Sequence, residues 1–109
     1  MKNNRTAGHT FERTIRQWFI SMGWKDCQTS RYASREMDDK CVDLVNTEPF
    51  YAQMKYTQTI NIHTELDKMP KDHHINLVFH KRKNKGTIVA MTLEDFEGMI
   101  QLIRNENIL

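Results

Sequence analysis

The residues whose types and spacing could do chemistry lie in two neighbouring runs, CVDLVNT and FYAQMKY, which carry an acid (Asp43), an amide (Gln53) and an amine (Lys55). An aspartate between Val42 and Leu44 is disfavoured in a strand, and a buried acid needs a partner or a metal. Side chains alternate across a strand, so Tyr51, Gln53 and Lys55 share one face, while Phe50, Ala52, Met54 and Tyr56 share the apolar other face. In the preceding arm the same alternation predicts Val42 and Leu44 on one side and Cys41, Asp43 and Val45 on the other. If the hairpin closes near 46–49, Asp43 lies close to Gln53 and Lys55. A hard cation such as Mg²⁺ or Mn²⁺ takes oxygen ligands, and Asp43, the Gln53 side-chain oxygen and the Met54 carbonyl can supply them. Such an ion lowers the pKa of a bound water and balances charge on a phosphate. Lys55 would position or help deprotonate that water, or neutralise the pentavalent phosphate. The chemistry this patch suits is phosphodiester hydrolysis.

The elements that must position these groups can be read from periodicity. Phe11, Ile15, Trp18, Phe19 and Met22 recur every three or four residues and predict an amphipathic helix over 8–22, stopped by Gly23. Glu12 sits at the border of that stripe, one turn from Arg16. A ragged strand is expected over 24–32 and a polar loop over 33–40. The two arms around Asp43 and Gln53 form a hairpin turning at Glu48-Pro49. A short polar helix around 60–69 ends at Pro70. INLVFH (75–80) and TIVAMT (87–92) read as strands joined by the basic loop KRKNKG. Thr92 is a natural N-cap for a final helix with Glu94 and Asp95 in its first turn. The expected order is α-β-β-β-α-β-β-α: an α/β fold in which helices flank a central mixed five-stranded sheet, built as one domain over 1–109.

The bulk numbers fit this reading. The chain has 109 residues, 39% hydrophobic and 28% charged, which suits one globular core. No run reaches the roughly 18 apolar residues of a membrane helix, and MKNNRTAGHTFE lacks the apolar centre of a secretory signal, so a cytoplasmic protein without membrane contact is expected. Cys27 and Cys41 form no CxxC pair and read as buried free thiols. The net charge is only +2, but Lys81, Arg82, Lys83 and Lys85 crowd one loop and Arg31, Arg35 and Lys25 form a looser group. Such runs are often merely solvated; beside an acid–amide–amine patch they become candidate phosphate contacts.

The pattern VDLV, nine residues, then QMK resembles the D…(D/E)xK core of the PD-(D/E)XK nuclease superfamily, with Gln53 where Asp or Glu is usual. A Gln there also occurs in members resembling Mrr-type restriction nucleases, though it removes one negative charge from the metal site. The opening GHTFERTIRQWFISMGW is similar to the first helix of archaeal Holliday junction resolvases and their phage relatives, and INLVFHKR…GTIVAMTLEDFEGMI resembles the closing strand–strand–helix of phage-encoded resolvase-like nucleases. The resemblance implies that Glu12 reaches the metal site from the helix, and that a serine between the helix and the acid, Ser30 or Ser34, takes part. It implies a Mg²⁺- or Mn²⁺-dependent endonuclease of branched DNA, a homodimer with a two-fold interface, and backbone contacts from Arg31, Arg35, Lys81, Arg82 and Lys83. At this length there is no room for a separate sequence-reading domain, which favours recognition of DNA shape.

Blander readings exist for most of these residues. Glu12 can pair with Arg16, Lys55 can snorkel from a strand edge, and Gln53 can bond a neighbour. The adjacent His73 and His74 should point apart on any regular element, and no HxH or HxxxH spacing suggests zinc. Asp38 and Asp39 are expected to cap a turn or face water, though either could approach the metal from the loop, and Trp18 and Trp24 are expected to be core. The Gln53 departure also leaves room for a nuclease-fold binding module that has lost catalysis.

Overall fold

The computed structural model describes residues 4–108. Helix α1 spans Asn4–Ser21, strand β1 Gln28–Thr29, helix α2 Ser30–Ala33, helix α3 Arg35–Asp39, strand β2 Leu44–Val45 and strand β3 Phe50–Tyr56. Helix α4 covers Ile62–Asp67, strand β4 Ile75–Lys81, strand β5 Ile88–Ala90 and helix α5 Leu93–Asn105. The five strands form one mixed sheet in the order β1-β2-β3-β4-β5. All neighbours are antiparallel except β3 and β4, which run parallel from Phe50↔Ile75 to Tyr56↔Lys81. A parallel pair needs a crossover, and α4 supplies it.

Two apolar clusters lie on the two faces of the sheet. On one face, Phe11, Ile15 and Phe19 of α1 pack on Leu44, Ala52, Met54, Ile75, Leu77 and Phe79, with Met99 of α5 against their edge. On the other, Leu66 of α4 and Met69 just beyond it pack on Val42 and Val78, with Met37 of α3 alongside. Strand β4 contributes to both, which is why INLVFH is buried along its length. Phe19 anchors the larger cluster with edge-to-face contacts to Trp18, Trp24 and Phe79.

The α/β layering and the five strands agree with the sequence reading, and several local expectations change. The segment 33–40 is mainly helical: Ser34 caps α3 by accepting from the Met37 N–H at 3.3 Å, a local bond that a polar string hides. Strand β1 is reduced to two residues because the chain turns into α2 at Ser30. Val42 and Leu44 face opposite layers. The regular strand begins only at Leu44, and Cys41 just upstream has φ +63°, so alternation does not extend to this stretch. Trp18 remains 45% exposed and Met22 59% exposed, so both rim the core rather than fill it. Cys27 is buried, whereas Cys41 is only partly so. Thr92 caps α5 as expected, accepting from the Asp95 N–H. Gly23 takes φ +120° after α1, a conformation glycine adopts without a Cβ penalty.

Candidate functional site

Strand β2 pairs with β3 only at Leu44↔Ala52. Further along β3, the Asp43 side chain stands where a strand neighbour would be: its Oδ2 accepts the Met54 N–H at 2.8 Å. The Asp43 backbone is fixed on both sides, its N–H donating to the Ala52 carbonyl and its carbonyl accepting from the Ser30 N–H, each at 2.8 Å. In a strand, the N–H and C=O of one residue point the same way. The Met54 carbonyl therefore faces the side of β3 where the Asp43 carboxylate sits.

Asp43 carries a charge in unfavourable surroundings. Burial pushes its pKa up from 3.8 to about 6; the Met54 N–H opposes this, the Glu12 charge adds to it, Lys55 opposes it, and Asp38 adds again. Those interactions bring Asp43, Glu12, Lys55 and Asp38 into one electrostatic neighbourhood assembled from α1, α3 and β3. Glu12 is also tied to Arg31 of α2 at 3.3 Å, rather than to Arg16, whose Nε donates to the Cys27 carbonyl. Ser30 is buried, and its hydroxyl donates to Asp38 Oδ1 at 3.4 Å. Of the two candidate serines, Ser30 thus lies beside this acidic group, and Ser34 is spent on capping α3.

Gln53 and Lys55 share the opposite face from Ala52 and Met54, as alternation requires, and both meet α4. Gln53 is 2% exposed; its amide nitrogen donates to the Glu65 backbone carbonyl at 3.0 Å. Facing a carbonyl fixes which end of the amide is nitrogen, and leaves Oε1 as the end able to accept or ligate. The Lys55 ammonium pairs with Glu65 Oε1 at 3.5 Å, and Glu65 pairs also with Lys68 at 3.2 Å. Glu65 was not singled out in the sequence. The signal was its place three residues after Ile62 and next to Leu66, which puts it on the sheet-facing side of a polar helix.

Glu12, Lys55 and Asp38 each act electrostatically on Asp43, but among the described residues these acids do not converge to within 4.8 Å as a three-ligand group, and Gln53 is linked to Lys55 through Glu65. The predicted phosphate contacts scatter more widely. Arg35 is exposed and pairs loosely with Asp39 at 4.0 Å. Lys81 donates to the Lys85 carbonyl, closing the β4–β5 loop. Arg82 and Lys85 line a groove with Gln58, Thr59, Ile60 and His80, which adjoins a depression lined by Lys55, Thr59, Ile60 and Glu65. Thr59 and Ile60 belong to both, so the basic loop and Lys55 border one continuous surface.

The expectation that His73 and His74 diverge on a regular element does not apply: they lie before β4, outside any regular element, and their rings stand 4.2 Å apart. Among the described residues no helix is long and apolar enough to cross a membrane. No family model, curated protein or solved structure matches this chain.

Proposed function

We propose that this protein is a divalent-metal-dependent endonuclease acting on branched DNA, of the Holliday junction resolvase type. The observation that carries the reading is the Asp43 carboxylate: partly buried beside β3 where β2 stops pairing, with Glu12 and Asp38 adding negative charge and Lys55 within electrostatic reach. A carboxylate destabilised by burial and by two other acids gains most from a bound cation, which favours a hard metal ion beside Asp43. Asp43, Glu12, the Met54 carbonyl and Gln53 Oε1 would hold it. The ion supplies Lewis acidity and a more acidic bound water.

The chain's own residues have separate tasks. Asp43 is set by three backbone hydrogen bonds, so its carboxylate needs little reordering to act. Arg31 holds Glu12 towards α2 by charge pairing, and Ser30 holds Asp38. Lys55, restrained by Glu65, presents an ammonium beside the acid group, suited to orienting a nucleophilic water or to neutralising a phosphate. Arg82 and Lys85, at the far end of the surface that reaches Lys55, and Lys83 of the same loop would take DNA phosphates, with Arg31, Arg35 and Lys81 as further cations.

Symmetrical cutting of a junction calls for a homodimer. The apolar residues left exposed on β5 and α5, Ile88, Val89, Leu93 and Phe96, support this, since large exposed apolar patches mark interaction surfaces. A second reading, a binding module without catalysis, is favoured by one observation: Gln53 is committed to a structural bond with α4 and adds no charge to the site. Cleavage of four-way junction, flap and linear duplex in Mg²⁺ or Mn²⁺, with Asp43→Ala and Lys55→Ala, separates the readings. Junction cleavage lost in both variants is expected. Cleavage surviving Asp43→Ala would overturn the site, and binding without cleavage would favour the second reading. Sedimentation of the free protein tests the dimer.

A further inference from the structure

At the opposite end of β3 from Lys55, a second group of side chains converges that the nuclease reading does not use. The imidazole of His74 is held on three sides. Its ring stacks on Tyr51 at 3.8 Å with a 13° interplanar angle. Nδ1 meets Asp72 Oδ1 at 2.7 Å, and Nε2 meets Glu48 Oε1 at 2.6 Å. Asp72 is itself fixed, accepting from the His74 N–H at 2.8 Å and from the Tyr51 hydroxyl at 2.9 Å. Glu48 is held through its backbone, whose carbonyl accepts the Trp24 indole N–H at 2.7 Å. Ile75 N–H donates to the neighbouring Pro49 carbonyl at 2.9 Å, tying the hairpin turn to the start of β4. One ligating atom from each of Glu48, His73 and His74 lies within 4.8 Å of the others.

We propose that Glu48, His73 and His74 form a zinc-type transition-metal site. Two imidazoles and one carboxylate are a donor set that Zn²⁺ takes in three-ligand sites, with a fourth position left open. Metal-bound histidines commonly give their other ring N–H to a carboxylate, which fixes the tautomer and the ring orientation. The Asp72–His74 pair already has that form, and Tyr51 orients Asp72 in turn. Nε2 is then the ligating atom, aimed at Glu48. His73 and Glu48 are exposed, so both can shift into ligand positions at little packing cost, Glu48 moving back from its hydrogen-bonding distance. Zn²⁺ entry replaces the hydrogen bond between His74 and Glu48, and any proton on Nε2 leaves to solvent. The site offers two imidazole nitrogens, whereas the Asp43 group offers oxygen alone, so the two should sort metals differently. It joins the hairpin turn to the strand after α4, and a bound ion would pin the N-terminal ends of β3 and β4.

The test is titration of the untagged protein with Zn²⁺ alone by calorimetry, and with Co²⁺ alone by visible absorption, where a tetrahedral site gives intense bands. Saturation at one equivalent per chain is expected, unaffected by excess Mg²⁺. His73→Ala and Glu48→Gln, both at exposed side chains, should each weaken Zn²⁺ at least tenfold, with circular dichroism unchanged. Tyr51→Phe, which removes one of the bonds orienting Asp72, should weaken it by roughly 10-fold or more. Asp43→Asn should leave it unchanged, which makes this result independent of the nuclease reading. Zn²⁺ affinity within threefold of the parent protein in both His73→Ala and Glu48→Gln would overturn the proposal, as would its loss in Asp43→Asn.

Discussion

Replacing Asp43 by Asn should stabilise the metal-free protein while abolishing cleavage. Folding holds Asp43 against its preference to stay charged in water, raising its pKa from 3.8 to about 6. That difference of about 2 pKa units, at about 1.36 kcal/mol each, is a cost of about 3 kcal/mol when the group is ionised. Because the folded pKa is the higher, the Asp43 contribution to metal-free stability is fully present below about pH 4. That contribution is lost as pH rises through about 6, and the cost is constant above. Asparagine keeps an acceptor for the Met54 N–H, though a weaker one, and brings an amide that must find a partner. The net gain near neutral pH should therefore be about 1–2 kcal/mol, or a Tm increase of roughly 5–10 °C. Urea denaturation of both proteins in chelator from about pH 4 to 8 measures it. The difference should be near zero at the acid end and grow through pH 5–6. Mg²⁺ should then raise the Tm of the parent protein more than that of Asp43→Asn. A destabilised Asp43→Asn at neutral pH, or a gain that does not vary with pH, would refute the argument that this carboxylate is a charge waiting for a cation.

Gln53→Glu should cost about 1–3 kcal/mol in metal-free protein near neutral pH, because an ionised carboxylate cannot donate to the Glu65 carbonyl; the loss should shrink in acid, where the side chain regains a proton, as urea midpoints would report. Phe19→Ala should cost about 3–5 kcal/mol, since Phe19 is 1% exposed and packs on three aromatic rings; an equilibrium urea curve measures this. Neutralising Arg82, Lys83 and Lys85 together should weaken junction binding and lower the slope of log K against log salt by up to about 3, read by fluorescence anisotropy across a salt series. An unchanged slope would remove the β4–β5 loop from the proposed DNA surface.

The amino-acid sequence by itself determined the layering, because periodicity is a local property. The 3.6-residue stripe of Phe11, Ile15 and Phe19 and the two-residue alternation from Phe50 to Tyr56 each fix which side is buried. The Thr92 cap, the turn at Glu48-Pro49 and the shared face of Gln53 and Lys55 were legible for the same reason. What tertiary structure alone decided was everything that depends on where regular structure stops. Strand β2 is too short to carry Asp43 on a regular face, so the carboxylate enters the sheet as an acceptor for Met54 instead. Ser34 became a cap and left Ser30 beside the acids. Glu65 met Lys55 across a crossover that only the parallel pairing of β3 and β4 creates. His73 and His74 converged because they lie in an irregular segment, where no repeat sets their directions. A sequence names the groups able to do chemistry; the partners each finally meets are set by long-range packing, and these distances cannot be read along the chain.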